Sequence, residues 1–225
     1  MQYLYLCPIC LALAAVFIVV EKMEKYVVAD VIKGVASTFF VVLGILGAMK
    51  CNDPVYARMI VIGLVLGAVA DVLLNLRYVY EGNKGQLAFL VGIGVFLLGH
   101  ICYIVATLPY CKWLPAAIVI GVVLTALLMY WILGQVEAKP AFKIFGVFYI
   151  GAITILNCMA LVALINYPSQ HAIMFLGGTL LFLASDIILI LNTFGTNKSF
   201  LRRVANLMLY YVGQIMIALC LQLPL

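Results

Sequence analysis

Charged side chains are scarce in this 225-residue chain, at 9% against 68% hydrophobic residues, and the mean hydropathy is +1.25. A soluble domain cannot cover its surface with so few charges, so an integral membrane protein is expected. Histidine is rarer still, with only His100 and His171, whereas an intramembrane zinc hydrolase needs about three histidine or equivalent ligands on one ion. There is no GxSxG elbow for serine hydrolysis and no GxxxxGK[ST] loop for a phosphate. No basic stretch precedes the first apolar run and no small-residue cleavage site follows it, so that run reads as a retained span and not a removed signal peptide. No polar stretch is long enough to fold by itself, which makes residues 1–225 a single transmembrane domain. The net charge of +5 falls in short loops, where it sets orientation; nucleic acid is not an expected partner.

Apolar runs of about 17 to 25 residues between polar punctuation predict eight transmembrane helices. They lie near 3–20, 31–49, 57–76, 87–108, 113–134, 143–165, 171–193 and 202–223. The loops after the first, third, fifth and seventh carry Lys22, Lys25, Arg77, Lys84, Lys139, Lys143, Lys198, Arg202 and Arg203. The opposite face has only Lys50, Arg58 and Lys112. Nine against three predicts that the first set is cytoplasmic and that both termini lie outside the cytoplasm. Short loops without long tails or sorting signals point to a bacterial cytoplasmic membrane. Seven scattered cysteines, with a single CxxC at Cys7 and Cys10, read as small apolar packing groups and not as a redox or metal site.

The informative residues are the polar ones inside the spans. An ionisable group in the bilayer costs at least about 2.5 to 3.5 kcal/mol, so it faces the bundle interior and has a partner. Four such groups lie away from the helix ends: Lys33, Asp71, His100 and Asp186. Their neutral company is Ser37, Asn75, Tyr103, Tyr149, Asn157, Ser185, Asn192, Asn206, Tyr210 and Gln214. On the third helix Gly63, Gly67, Asp71 and Asn75 recur every four residues, a stripe that is small at one end and polar at the other. On the eighth, Asn206, Tyr210 and Gln214 repeat the interval. The first and fifth helices offer almost nothing polar and are expected at the periphery. The other six are expected to surround a polar cavity that opens toward the cytoplasmic side. Two carboxylates at similar depth with one nearby cation predict a pair of unequal protonation, equipment for acid and base chemistry or for proton-coupled transport.

Four segments together carry a resemblance. GLVLGAVADVLLNL, FLLGHICYI, GGTLLFLASDIILILNTF and YYVGQIMIAL resemble, in order, the motifs of the YhhN-like family of lysoplasmalogenases, multi-pass membrane vinyl ether hydrolases. Lys33 also has its place, although the family often shows Lys-Pro where this chain has Lys33-Gly34. Ala70 stands where a glycine frequently precedes the aspartate. The resemblance implies cleavage of the vinyl ether bond of a lysoplasmalogen, a lysophospholipid of the surrounding membrane lipids, by water to a fatty aldehyde and a glycerophospho-base. No metal or organic cofactor is required. In such a reaction Asp71 and Asp186 would be the catalytic pair, one protonated and one ionised. Lys33 would hold the ionised partner or contact the lipid phosphate. Asn75, Tyr103, Tyr149, Tyr210 and Gln214 would orient water and the polar head, with His100 as an orienting group, Ser185 as a supporting hydrogen bonder and Asn192 as a further supporting residue.

A rival reading from a different class is a proton-coupled transporter or lipid carrier that uses Asp71, Asp186 and His100 as a relay. Transporters of that kind break their helices at mid-span. No proline interrupts the helices that carry Asp71 and Asp186.

Overall fold

The computed structural model describes residues 3–80 and 82–225. Eight α-helices are present among them: α1 (Leu6–Lys22), α2 (Tyr26–Ala48), α3 (Pro54–Asn75), α4 (Gly82–Thr107), α5 (Leu114–Leu133), α6 (Pro140–Asn166), α7 (Gln170–Phe194) and α8 (Phe200–Cys220). Short 3-10 turns follow α3 and α4. No strand occurs among the described residues. Seven helices, α2 to α8, are long and apolar enough to cross a membrane. At 17 residues, α1 is at the lower limit of a span.

Several helices begin earlier than their apolar runs. Pro140 occupies the first turn of α6, where its missing N–H would have no intrahelical partner anyway and its fixed φ favours the helix. Asp53 caps α3 by accepting from the Val55 and Tyr56 amides, each at 3.0 Å. Tyr110 donates to the same carboxyl at 2.7 Å, and this phenol, together with the Tyr56 amide, holds Asp53 below the usual carboxylate range. Ser169 and Ser199 cap α7 and α8 through the Ala172 and Arg202 amides. The helix α2 starts at Tyr26, directly after a tight turn in which Glu24 takes a left-handed φ of 60°. The predicted start at 31 is therefore corrected, and Asp30 moves from a loop into the second turn of a helix.

Extensive contacts run α2 to α3, α3 to α4, α4 to α6, α6 to α7, α7 to α8 and α8 back to α2. Six helices thus close a ring. Outside it, α1 packs on α2 and α8, and α5 packs on α6, so the two helices poor in polar residues are peripheral, as their composition predicts. The outer face of α5 presents Val119, Val122, Val123 and Leu127, each more than half exposed. Apolar surface on that scale is what hydrocarbon, not water, would cover. The ends of the helices after which the first, third, fifth and seventh loops follow gather at one end of the bundle, around a cleft of about 1040 Å³.

The ring is tightest where α7 crosses α8. A Cβ at Gly178 would stand 2.8 Å from the Gly213 carbonyl oxygen and 2.8 Å from Ile217 Cγ1. The first of these is backbone and cannot rotate away. Gly178→Ala should therefore cost about 1 to 3 kcal/mol, read as a lowered melting temperature in detergent. Gly94→Ala, where a Cβ meets nothing within 4 Å, should be neutral or slightly stabilising. Equal melting temperatures for the two variants would contradict this account of the crossing.

Candidate active site

The site grows from the small-to-polar stripe of α3. Asp71, Asp186 and Lys33 are 2%, 3% and 4% exposed, so none is solvated by bulk water. Lys33 Nζ, from α2, stands 3.1 Å from Asp71 Oδ1 and also donates to the Asp71 backbone carbonyl at 3.0 Å. One helical turn further on α2, Ser37 donates to Asp71 Oδ2 at 2.6 Å. From α8, Tyr210 donates to the same oxygen at 2.6 Å. A cation and two hydroxyls thus converge on one carboxylate. Each of these donors offsets part of the cost of burying the carboxyl group.

Behind Tyr210 runs a chain of neutral groups. Tyr103 donates to Gln214 Oε1 at 3.3 Å, and Gln214 Nε2 donates to Tyr210 Oη at 3.3 Å. The glycine stripe makes room for this chain. A Cβ at Gly63 would lie 2.2 Å from the Tyr103 ring, and one at Gly67 2.8 Å from Gln214 Nε2. The stripe also serves close backbone approach, since a Cβ at Gly99 of α4 would lie 3.2 Å from the Gly63 carbonyl oxygen.

Asp186 sits in a different setting. Tyr149 of α6 donates to its Oδ2 at 2.7 Å, and among the described residues no cation forms an ion pair with it. Its neighbour Ser185 accepts from Asn206 Nδ2 at 2.8 Å, and the Ser185 carbonyl accepts from the same nitrogen at 2.9 Å. The α7 backbone is thereby locked to α8 beside the carboxyl. Asp186 forms part of the wall of two adjoining spaces. One is a small cavity shared with Lys33, Asp71, Asn75, Arg77 and Arg203. The other is an apolar slot among α4, α5, α6 and α7, lined by residues such as Ile93, Met129, Ile132, Phe142 and Ile190. The small cavity shares Arg77, Arg203 and Asn206 with the large cleft at the bundle end.

Most of the residues expected at the site are brought together: Lys33, Asp71, Tyr103, Tyr210 and Gln214 on one side, Tyr149, Ser185 and Asp186 on the other. His100 is not in hydrogen-bond contact with either group. Its ring packs 4.8 Å from Phe182 and 5.2 Å from Tyr149, centroid to centroid, and neither nitrogen has a partner among the described residues. Asn192 stands apart too, at the cleft, where its Oδ1 accepts from the Ser199 amide and braces the α7–α8 loop. Asn157 ties α6 to α7 through Thr179. The Asn75 amide is buried and faces Asp30 without normal hydrogen-bond geometry.

Three charged groups were not anticipated at the site. Asp30 is buried one turn before Lys33, a spacing visible in the sequence once α2 is extended. Arg203 lines the small cavity, three residues before Asn206 and thus near the polar stripe of α8. It is held by Glu21 of α1 in a two-point pair at 2.9 and 2.6 Å. Arg77, six residues past Asp71, enters both the cavity and the cleft. Among the described residues no group of three His, Cys, Asp or Glu side chains is placed to hold a metal ion, and the described cysteines are unpaired.

Comparison of the chain with curated proteins and with solved structures gives no match. Residues 31–221, which include every helix of the ring except the first turn of α2, match the model of the YhhN family. By that match over most of its length, the chain belongs to the YhhN family.

Proposed function

We propose that this protein hydrolyses the vinyl ether bond of lysoplasmalogens, with Asp186 as the proton donor and Asp71 as the ionised carboxylate. The family is associated with hydrolases of the lysoplasmalogenase type. The observation that supports the finer reading is the position of Asp186, between an apolar slot and a small cavity whose wall includes Lys33 and Asp71. A lysoplasmalogen has its reactive bond at that same junction, with a hydrocarbon chain on one side and a glycerophospho-base on the other. In this reading the chain lies in the apolar slot, the head occupies the cleft, and the cleft faces the cytoplasm because the loops around it are the basic ones. Both termini then lie on the opposite side.

The chemistry follows from what each carboxyl touches. Asp186, bonded to a neutral phenol, gives its proton to the outer alkene carbon. The alkene π electrons form the new C–H bond, leaving an oxocarbenium ion at the carbon bearing the ether oxygen. Asp71, already ionised and fixed by Lys33, Ser37 and Tyr210, stabilises that cation, as the second carboxylate does in glycosidases. Water adds to the cationic carbon and passes a proton to the Asp186 carboxylate, which restores the acid. The resulting hemiacetal transfers its hydroxyl proton to the glycerol oxygen as the C–O bond breaks, releasing aldehyde and glycerophospho-base.

Purified protein in detergent should release aldehyde from lysoplasmenylcholine or lysoplasmenylethanolamine. The matched alkyl ether should not react, since it has no alkene carbon to protonate, and the matched ester should not react either. Cleavage of the ester with no cleavage of the vinyl ether would replace this reading with ordinary lysophospholipase chemistry. Proton-coupled lipid uptake into vesicles, without release of aldehyde, would favour a carrier.

A further inference from the structure

Lys33 is not free to bind a phosphate. Its ammonium is committed to the Asp71 carboxylate and to the Asp71 carbonyl, at the closed end of the cavity. Two guanidinium groups lie between that end and the open cleft, and they differ in their partners. Arg203 is neutralised by Glu21. Among the described residues the hydrogen-bond partners of Arg77 are neutral: its Nη2 donates to Tyr78 Oη at 2.7 Å and its Nη1 to Thr193 Oγ1 at 3.5 Å. Its plane is flanked by the Phe89 ring at 4.3 Å and the Tyr78 ring at 4.6 Å. No carboxylate among the described residues forms an ion pair with it. A guanidinium stacked on aromatic faces keeps its edge N–H groups for a planar, two-point acceptor, and carboxylate or phosphate oxygens are the acceptors that fit.

Position along the helix narrows the ligand. Arg77 lies six residues beyond Asp71, in the 3-10 turn that follows α3, ~10 Å along the axis at 1.5 to 2.0 Å per residue, on the side toward the cleft. In a lysophospholipid three glycerol carbons separate the phosphodiester from the chain-bearing oxygen, a reach of the same order. Building on the lysoplasmalogenase reading above, we propose that Arg77 binds the phosphodiester of the substrate and so selects phospholipids over neutral ether lipids. Phe89, which lines the cleft, the cavity and the apolar slot alike, fixes the guanidinium at the point where the three meet.

The test separates this assignment from the reaction itself. Binding of an uncleavable 1-O-alkyl lysophosphocholine and of the phosphate-free 1-O-alkylglycerol of equal chain length is measured by calorimetry in detergent. Arg77→Gln should weaken the lysophosphocholine about 10- to 100-fold and leave the alkylglycerol unchanged. Arg77→Lys, which keeps the charge but loses the two-point fork, should fall between, and it serves if the glutamine variant does not fold. Lys112→Gln, which removes one positive charge from the opposite face of the bundle, should change neither affinity. Equal weakening of both lipids, or of neither, would overturn the assignment. Displacement of the lysolipid by inorganic phosphate at comparable concentration would also overturn it, in favour of a free-anion site. Because the probe cannot be cleaved, the result holds whether or not the protein hydrolyses vinyl ethers. In turnover, Arg77→Gln should raise KM for lysoplasmenylcholine with kcat little changed, as expected for binding made equally in ground and transition states.

Discussion

Replacing Asp186 by asparagine should lower kcat for vinyl ether cleavage by at least ~100-fold, the lower end of what a positioned general acid contributes. An amide has the shape of the carboxylic acid but no proton to deliver to carbon. The Tyr149 contact can persist, because the asparagine carbonyl accepts the phenol at the place where Oδ2 now does, so the variant should stay folded with a near-normal melting temperature. Asp71→Asn should lose activity to a similar extent for a different reason. It removes the negative charge that faces the oxocarbenium ion, in a site where water cannot replace it. Aldehyde release, measured on both variants at equal folded concentration, decides the matter. Near-normal turnover in both would sink the two-carboxylate mechanism.

The largest stability effect should come from Lys33. Its ammonium is the one cation in an ion pair with Asp71 among the described residues. Lys33→Met would leave a carboxylate 2% exposed with Ser37 and Tyr210 as donors but no counter-charge. Breaking a buried pair from one side costs about 3 to 5 kcal/mol, whereas replacing both members by neutral groups is often close to neutral. Lys33→Met alone should therefore lower the melting temperature sharply or abolish the monodisperse protein peak. Lys33→Met combined with Asp71→Asn should recover most of the lost stability while remaining inactive. The coupling between the two substitutions is the quantity to measure; strictly additive effects would mean that the pair contributes nothing as a pair.

Part of this arrangement was readable from residue order, and the reason is the cost of charge in hydrocarbon. Because a buried carboxylate in a span must find a partner, residue order places Lys33 beside one of the two aspartates; that it is Asp71 is a property of the packed helices. The four-residue recurrence of Gly63, Gly67, Asp71 and Asn75 identified an inward face for the same reason that helices bury one stripe. Peripheral places for α1 and α5 followed from their lack of polar groups. Periodicity names a face, however, and not what fills the space opposite it. Only the packed bundle shows that Gly63 and Gly67 clear room for the Tyr103 ring and the Gln214 amide.

Other features lay beyond that reach. Hydropathy places Asp30 in a loop because it detects where apolar residues start, while α2 begins five residues sooner, directly after the turn that holds Glu24. His100 reads as an orienting group by its polarity, and in the bundle its ring meets aromatic rings; polarity alone does not say which neighbours a side chain will have. Arg203 and Glu21 are separated by 182 residues, and nothing local in either segment marks the other. Composition and the expense of intramembrane charge were enough to determine a helical membrane protein with an inward-facing Lys33, Asp71 and Asp186. Tertiary structure decided the division of labour among the charges, with Lys33 bound to Asp71, Arg203 to Glu21 and, among the described residues, no carboxylate in an ion pair with Arg77. Which charges neutralise one another depends on distances of a few ångströms between helices, and those distances exist only once the ring is closed.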